Sequence, residues 1–81
     1  MPRYEVKTKK SPEEAIKTAV DFFGEGGLGL ESEDQGPCCT LFEGGGGFVR
    51  VTASQEGDHT TVDLETREWD RHVKRFMQKI A

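Results

Sequence analysis

The longest run of alternating apolar and polar positions lies between residues 38 and 66. It reads CCTLFEGGGGFVRVTASQEGDHTTVDLET, with three runs rich in β-branched and aromatic residues separated by two glycine turns. Alternation of this kind is typical of half-buried β-strands, and short glycine turns between such runs are typical of hairpins. The stretch therefore predicts a three-stranded antiparallel meander, and the flanking helices are expected to cover it.

In the first hairpin, the apolar residues of both strands lie on one face if Leu41 is opposite Val49 and Cys39 is opposite Val51. This is therefore the predicted pairing. The loop is then residues 43–47, and Phe42 lies opposite Phe48 on the other face. Because strand side chains alternate, a slip of one residue would reverse both faces. Phe42, Phe48 and Arg50 are therefore predicted to lie on the open face of the sheet, and they are the candidate partner-binding residues.

In the second hairpin, the apolar residues of both strands share a face only if the loop has an even number of residues, either 57–58 or 55–58. Gly57 suits both loops because glycine takes positive φ freely. The inner face of the meander is then Cys39, Leu41, Val49, Val51, Ala53, Val62 and Leu64. The outer face is Thr40, Phe42, Phe48, Arg50, Thr52, Thr61, Asp63 and Glu65, which is mostly polar, so one face is predicted to be dry and the other wet.

Two signals before the meander predict an edge strand and a helix. In residues 3–8, charged residues alternate with three less polar ones, as in a half-buried strand: Tyr4, Val6 and Thr8. Ser11 is predicted as the N-cap of the helix, with Pro12 in its first position and Glu14 closing a capping box. The helix is expected to end at Gly24 and to present one apolar stripe: Ala15, Ile16, Ala19, Val20 and Phe23.

Residues 24–29 spell GEGGLG, which matches the G-x-G-x-x-G fingerprint of dinucleotide-binding folds. That fingerprint must follow a strand and open a helix, whereas here the glycines follow a helix and lead into a strand. We therefore expect no dinucleotide binding, and Leu28 and Leu30 instead face the core from a short strand that pairs with residues 39–41. Residues 31–37 form an acidic loop that could hold Ca²⁺, although a solvated loop is favoured because EF-hand spacing is absent.

The last helix is predicted from apolar residues at helical spacing, with Thr66 as its cap and the Trp69 ring in the core: Trp69, Val73, Phe76, Met77 and Ile80. The opposite side carries a basic strip: Arg67, Arg71, Lys74 and Arg75. For so short a helix, a solvated basic face is favoured over an RNA or membrane site.

The element order strand, helix, four strands, helix predicts an α+β fold, β-α-β-β-β-β-α, with a curved antiparallel five-stranded sheet and two helices packed on one face. This order resembles the single repeat of the TATA-box-binding-protein-like fold and a reduced form of the helix-grip proteins, over essentially the whole chain and through element order alone. The resemblance implies that the first strand lies beside the last. It also implies two binding modes, an apolar ligand between sheet and terminal helix or nucleic acid on the open sheet face.

Composition narrows these alternatives. A chain of 81 residues has room for one domain, residues 1–81, and its 33% apolar residues fall in periodic sets that predict a thin but folded core. The net charge is −4, and no Lys or Arg occurs from residue 18 to residue 49, so a nucleic-acid partner is not expected. No apolar run has the length of a signal peptide or a membrane span, which predicts a soluble cytoplasmic protein without a membrane partner.

No arrangement of reactive side chains predicts catalysis. Cys38 and Cys39 are expected to be reduced, with Cys38 outward and Cys39 inward, because consecutive strand residues point to opposite faces and a bridge between them needs unusual backbone geometry. The spacing of known metal sites is absent around the two histidines and the aspartates near them: His59, His72, Asp58, Asp63 and Asp70. We therefore expect neither an enzyme nor a bound metal or cofactor.

The resulting hypothesis is a small stand-alone interaction module. It binds a protein partner, or itself as a weak homodimer, through the Phe42 and Phe48 end of the open sheet face. The alternative is a binder of a small apolar ligand between the sheet and the C-terminal helix, in a space that bulky residues are expected to fill: Phe23, Leu41, Trp69, Phe76 and Met77.

Overall fold

The computed structural model describes residues 2–81 and contains seven elements in the predicted order. They are β1 Arg3–Thr8, α1 Pro12–Phe23, β2 Glu31–Asp34, β3 Cys39–Gly44, β4 Gly47–Glu56, β5 His59–Arg67 and α2 Asp70–Ile80. The strands form one antiparallel sheet in the order β1-β5-β4-β3-β2, so β1 is an edge strand beside the last strand. The predicted α+β fold is confirmed.

The start of α1 is the one that its sequence predicts. The Ser11 hydroxyl accepts a hydrogen bond from the Glu14 backbone at 3.2 Å, and the Glu14 carboxylate accepts one from the Ser11 backbone at 3.2 Å. Pro12 follows the cap, where its missing N–H costs nothing. The hydrogen bonds that the carboxylate accepts, first from the Ser11 backbone and then from the Ser11 hydroxyl at 3.1 Å, hold the pKa of Glu14 below its usual range.

Both helices cover the inner face of the sheet. The buried apolar residues come from every element except β1 and β2: Ala15, Ala19, Phe23, Leu30, Phe42, Val49, Val51, Ala53, Val62, Leu64, Val73, Phe76 and Ile80, of which Leu30 immediately precedes β2. Tyr4 and Val6 of β1 pack against this cluster as partly buried residues. Removing apolar surface from water gains about 25 cal/mol per Å², and this gain drives the helices onto the inner face of the sheet. Val20, placed in the predicted stripe of α1, is instead exposed.

The second hairpin closes as one of the two predicted alternatives. Glu56 pairs with His59, which leaves the two-residue turn at positions 57 and 58, and Gly57 has a φ of 67°. Val51 lies opposite Leu64 and Ala53 opposite Val62. The even loop therefore puts both apolar sets on the inner face.

The pairing predicted for the first hairpin is wrong by one residue. Gly44 pairs with Gly47, so the turn is Gly45 and Gly46 alone, with φ of 59° and 78°. Two consecutive positive φ angles make the kind of tight turn whose twist suits a hairpin, and four glycines in a row permit it at more than one position. Phe42 consequently pairs with Val49 and faces the core.

This one-residue shift exchanges the two faces of β3 alone. Cys39 and Leu41 lie on the outer face, where they pair with Thr52 and Arg50. Thr40 and Phe42 lie on the inner face, and Phe42 is fully buried. A large aromatic ring gains more from burial than the cysteine and leucine that were assigned inward, and this difference favours the observed pairing.

The acidic residues expected to form a loop form a strand instead. Glu31–Asp34 is β2, which pairs with β3 from Glu31 opposite Glu43 to Asp34 opposite Thr40. The preceding glycines end α1, because Gly27 and Gly29 donate to the Gly24 carbonyl at 3.0 and 2.8 Å. A Cβ at Gly27 would collide with the Phe22 carbonyl oxygen. The strand predicted around residues 28–30 therefore begins later, although Leu30 is buried as expected.

Helix α2 begins at Asp70, and the cap predicted at Thr66 is wrong. Thr66 lies within β5 and donates its hydroxyl hydrogen bond to the Phe48 carbonyl at 2.8 Å, while Trp69 precedes the helix without a side-chain cap. The apolar stripe of the helix is confirmed at its buried positions: Val73, Phe76 and Ile80. Trp69 is only partly buried, and its ring nitrogen donates to the Gly44 carbonyl at 3.0 Å.

The expectation of reduced cysteines is also wrong. Cys38 and Cys39 are joined to each other by a disulfide. Cys38 lies in the turn before β3, which starts at Cys39, so the alternation of strand side chains does not apply to the pair. Over residues 2–81, no helix is long and apolar enough to cross a membrane.

Candidate functional site

The outer face of the sheet is covered by neither helix. Its side chains, which we call the open face, alternate with the inner ones along each strand: Arg3, Glu5, Lys7, Glu31, Glu33, Cys39, Leu41, Glu43, Phe48, Arg50, Thr52, Ser54, Glu56, His59, Thr61, Asp63, Glu65 and Arg67. Leu41 and Phe48 are the large apolar members, and both are half-buried. The open face is therefore a polar surface with one small apolar area near the glycine turn.

Arg50 organises the centre of the open face. Its guanidinium carbon lies 5.9 Å from the centroid of the Phe48 ring, and Nη1 lies 3.3 Å from Glu65 Oε1 on the adjacent strand. A cation over an aromatic ring is attracted by the ring's electrons, so Arg50 both shields Phe48 and pairs with Glu65. With its side chain 48% exposed, the ion pair contributes little stability but is accessible to a partner.

The three predicted partner-binding residues do not lie together. Phe48 and Arg50 share the open face, but Phe42 is fully buried, with its ring centroid 5.4 Å from that of Phe23. The exposure expected for Phe42 is therefore wrong. Leu41 takes its place on the open face beside Arg50, and only the strand pairing decides which of these two neighbours faces outward.

The open face is charged unevenly from one edge to the other. Strand β1 contributes two cations, Arg3 and Lys7, and one acid, Glu5, so this edge of the sheet is net positive. At the other edge, β2 and β3 contribute acids and no cation: Glu31, Glu33 and Glu43. The gap in Lys and Arg between residues 18 and 49 thus becomes a spatial separation of charge across the sheet.

A cleft lies where the end of α2 meets the edge of the sheet. Its volume is about 640 Å³, and it is lined by Lys7, Thr8, Lys9, Lys10, His59, Ile80 and Ala81. The side chain of Thr8 donates to the Ile80 carbonyl at 2.8 Å, so a hydrogen bond joins two of the lining residues. Three cationic and two apolar side chains, with no carboxylate side chain among the lining residues, suit an anion that carries an apolar body.

Two polar atoms at this end of the sheet lack hydrogen-bond partners within residues 2–81. They are His59 Nε2 and Thr60 Oγ1, both shielded from solvent. His59 lines the cleft itself, with Nδ1 3.4 Å from Asp58 Oδ1. In the sequence, the cationic run KTKK, residues 7–10, is the signal for this region. Only the folded chain shows that these residues lie beside Ile80.

The interior between the sheet and the helices is filled by aromatic rings. The centroid of Phe23 lies 5.4 Å from that of Phe42 and 5.2 Å from that of Phe76, and Phe22 lies 5.6 Å from Phe76. Rings in contact at these distances leave no room for a ligand between them. The cleft at the end of α2 is therefore where a ligand could lie between sheet and terminal helix.

The remaining polar candidates are dispersed. Over residues 2–81, no three His, Cys, Asp or Glu side chains are placed to hold a metal ion. Tyr4 donates to Asp70 at 2.7 Å, and this hydrogen bond raises the pKa of Tyr4 above its usual value. All four members of the basic strip, Arg67, Arg71, Lys74 and Arg75, are exposed, and Lys74 lies 5.8 Å from the Tyr4 ring centroid.

No protein-family model and no curated protein matches the chain. The geometry of the open face and of the cleft is therefore the basis for functional inference.

Proposed function

We propose that the protein is a non-enzymatic interaction module that self-associates as a weak homodimer through the open face. The observation that carries this proposal is the charge separation across that face: one edge, with Arg3, Glu5 and Lys7, is net positive, and the other, with Glu31 and Glu33, is negative. The small apolar area of Leu41 and Phe48 lies between the two edges. The cytoplasmic location and the resemblance to TATA-box-binding-protein-like and helix-grip folds belong to the same proposal.

A two-fold axis along the central strand makes the charges self-complementary. Strand β4 is the middle of the five strands, so a rotation about an axis parallel to it places β1 of one copy over β2 of the other. Arg3 and Glu33 lie at the same level along the strands, so Arg3 of each copy faces Glu33 of the other, and an isologous interface makes this contact twice. Complementary charges of this kind fix orientation and partner choice more than they add affinity.

The size of the face sets the strength expected of the dimer. Five strands about 4.8 Å apart and some 20–30 Å long present about 500 Å² per copy, or about 1,000 Å² in total. That area is at the lower end for specific interfaces, and association also costs translational and rotational freedom. We therefore expect micromolar or weaker affinity.

Sedimentation equilibrium over a range of protein concentrations tests the proposal. The variant Leu41→Ser with Phe48→Ser should keep the fold, since both side chains lie outside the core, and should lose dimerisation. The matched control is Val20→Ser, which removes an exposed apolar side chain from α1 on the other side of the molecule. The proposal fails if the parent chain stays monomeric at the highest concentration reached, or if the control weakens association as much as the double variant.

The cleft at the end of α2 supports a second candidate function, the binding of a small ligand with an apolar body. Its lining combines Ile80 and Ala81 with three lysines, so the ligand is expected to carry a negative charge at one end. Hexanoate is a suitable probe, and hexanol is its uncharged counterpart. Saturable hexanoate-induced changes in the amide resonances of Thr8, His59 and Ile80 are the expected result.

Two double variants separate this site from general attraction to lysine. Lys9→Ala with Lys10→Ala should abolish the changes, whereas Lys17→Ala with Lys74→Ala removes the same charge from outside the cleft and should leave them intact. Equal binding of hexanol would show that the lysines do not recognise the anion. Equal binding of inorganic phosphate would show that the apolar lining plays no part.

A further inference from the structure

The disulfide between Cys38 and Cys39 joins neighbours in the chain at the turn that leads into β3. Cys38 is exposed and Cys39 is partly exposed. A bridge between adjacent residues closes almost no chain, so it removes little entropy from the unfolded state and adds little stability in that way. A role other than stabilisation is therefore indicated for an exposed bridge of this kind.

The backbone around the pair is held by hydrogen bonds that do not involve sulfur. The Ala53 N–H of β4 donates to the Cys38 carbonyl at 2.8 Å, and the Gln35 N–H donates to the Cys39 carbonyl at 2.9 Å. The Cys39 N–H donates to the Gly36 carbonyl at 3.3 Å. These bonds anchor both residues to β4 and to the β2–β3 turn, and none of them depends on the bond between the sulfurs.

We infer that Cys38 and Cys39 form a reversible dithiol–disulfide exchange site whose reaction partner is a small dithiol. The fold is expected to tolerate both states because the hydrogen bonds above are common to them. In a reducing compartment disulfides are mostly transient and take part in exchange, which agrees with an exposed pair and a cytoplasmic location. The inference is independent of homodimer formation.

The exchange proceeds in two steps that balance. A thiolate of the external dithiol attacks the exposed Cys38 sulfur, the bond between the two cysteines breaks, and Cys39 leaves as a thiolate that takes up a proton. The second thiol of the reagent, as its thiolate, then attacks its own sulfur in the mixed disulfide and releases Cys38 as a thiolate that is protonated. The protein gains two electrons and two protons, and the reagent leaves as a cyclic disulfide.

The first measurement counts thiols in the folded 81-residue chain before and after treatment with dithiothreitol. Two thiols should appear on reduction and disappear on treatment with oxidised glutathione. Amide resonances should change only near the cysteines and the strand residue Ala53. If the thiols appear only in denaturant, or if reduction unfolds the sheet, the bridge is structural and the inference is overturned. It is equally overturned if the purified chain carries two thiols that oxidised glutathione does not remove.

A second measurement uses phenylarsine oxide, a reagent that bonds two neighbouring thiols at once and releases water. The reduced chain should bind it about 100-fold or more tightly than either Cys38→Ser or Cys39→Ser, because the second sulfur reacts at a high effective concentration. Both variants keep the backbone hydrogen bonds and should melt like the reduced parent. If a single-cysteine variant binds as tightly as the parent, the two thiols do not act together.

Discussion

Phe42 and Phe48 have opposite environments although both belong to the same hairpin. Phe42 is fully buried against Phe23, whereas Phe48 is half-buried on the open face beneath the Arg50 guanidinium. The difference follows from one pairing, Phe42 with Val49, that a glycine turn of two residues imposes. At the scale of single residues, the pairing of this hairpin thus decides which of the two aromatic rings is buried.

We expect Phe42→Ala to lower the free energy of unfolding by about 3–5 kcal/mol, the usual cost of removing a buried aromatic ring. The matched substitution Phe48→Ala should cost about 1 kcal/mol or less, because its ring already touches solvent. Urea denaturation followed by Trp69 fluorescence measures both. Similar losses for the two variants would contradict the observed strand pairing.

At the scale of elements, local hydrogen bonds fix the start of α1 and the turn of the first hairpin. The capping box of Ser11 and Glu14 starts α1, and its ionised carboxylate accepts the hydrogen bonds that lower the pKa of Glu14. Two side-chain hydrogen bonds hold the turn of Gly45 and Gly46. The Trp69 ring nitrogen donates to the Gly44 carbonyl, and Arg67 donates to the Gly46 carbonyl at 3.1 Å. The glycine tip is therefore tied to the segment that leads into α2.

The lowered pKa of Glu14 makes the stability of α1 depend on acidity. Because the folded pKa lies below the unfolded one, the contribution is present above the unfolded value of about 4.3 and is lost as the pH falls through the folded pKa. Glu14→Gln should therefore flatten the pH dependence of the melting temperature in this acidic range. Glu13→Gln, in the same helical turn without the Ser11 bonds, is the control and should change the profile less.

The two central glycines of the first hairpin should tolerate substitution differently. Both have positive φ, so alanine costs about 1–2 kcal/mol at either position. A Cβ on Gly45 would also lie 3.0 Å from Trp69 Cζ2, whereas a Cβ on Gly46 meets nothing within 4 Å. Gly45→Ala is therefore expected to destabilise more than Gly46→Ala in thermal melts. The reverse order would mean that Trp69 does not pack on the turn.

At the scale of the whole molecule, charge is separated along the axis that crosses the strands. The acids of β2 lie at one edge of the sheet and the cations of β1 at the other, in a molecule with principal extents of 36 × 21 × 19 Å. The distance between the two charged edges is comparable with these dimensions, and it exceeds the screening length of about 8 Å at physiological salt. The two edges therefore act on a partner as separate charged surfaces.

Reversing the charge of one edge should weaken dimerisation, and reversing the charges of both edges should restore it. Arg3→Glu with Lys7→Glu makes the open face of β1 wholly acidic and places an acid at position 3 opposite Glu33 across the proposed two-fold axis, so the dimer should weaken by about tenfold or more. Adding Glu31→Lys and Glu33→Lys recreates opposite charges with the signs exchanged. Sedimentation at low salt measures all three chains. If the fourfold variant remains as weak as the double one, the two edges do not meet in the dimer.

The sequence by itself determined the order of the elements, the capping box at Ser11 and Glu14, the edge position of β1 and the even number of residues in the second hairpin loop. These features depend on local hydrogen bonds and on spacing within a few residues, which are written directly in the chain. The even loop of the second hairpin could be deduced because apolar residues on both strands leave only one face in common.

Only the tertiary structure decided the faces of β3, the strand formed by Glu31–Asp34, the bridge between the cysteines and the cleft beside Ile80. Four consecutive glycines carry no preference for one turn position, so the pairing depended on which side chain gains more from burial against Phe23. An acidic run becomes a strand because its backbone pairs with β3, whatever the polarity of its side chains. The open face and the cleft, on which function is proposed, arise from contacts between residues far apart in sequence, and no local pattern encodes them.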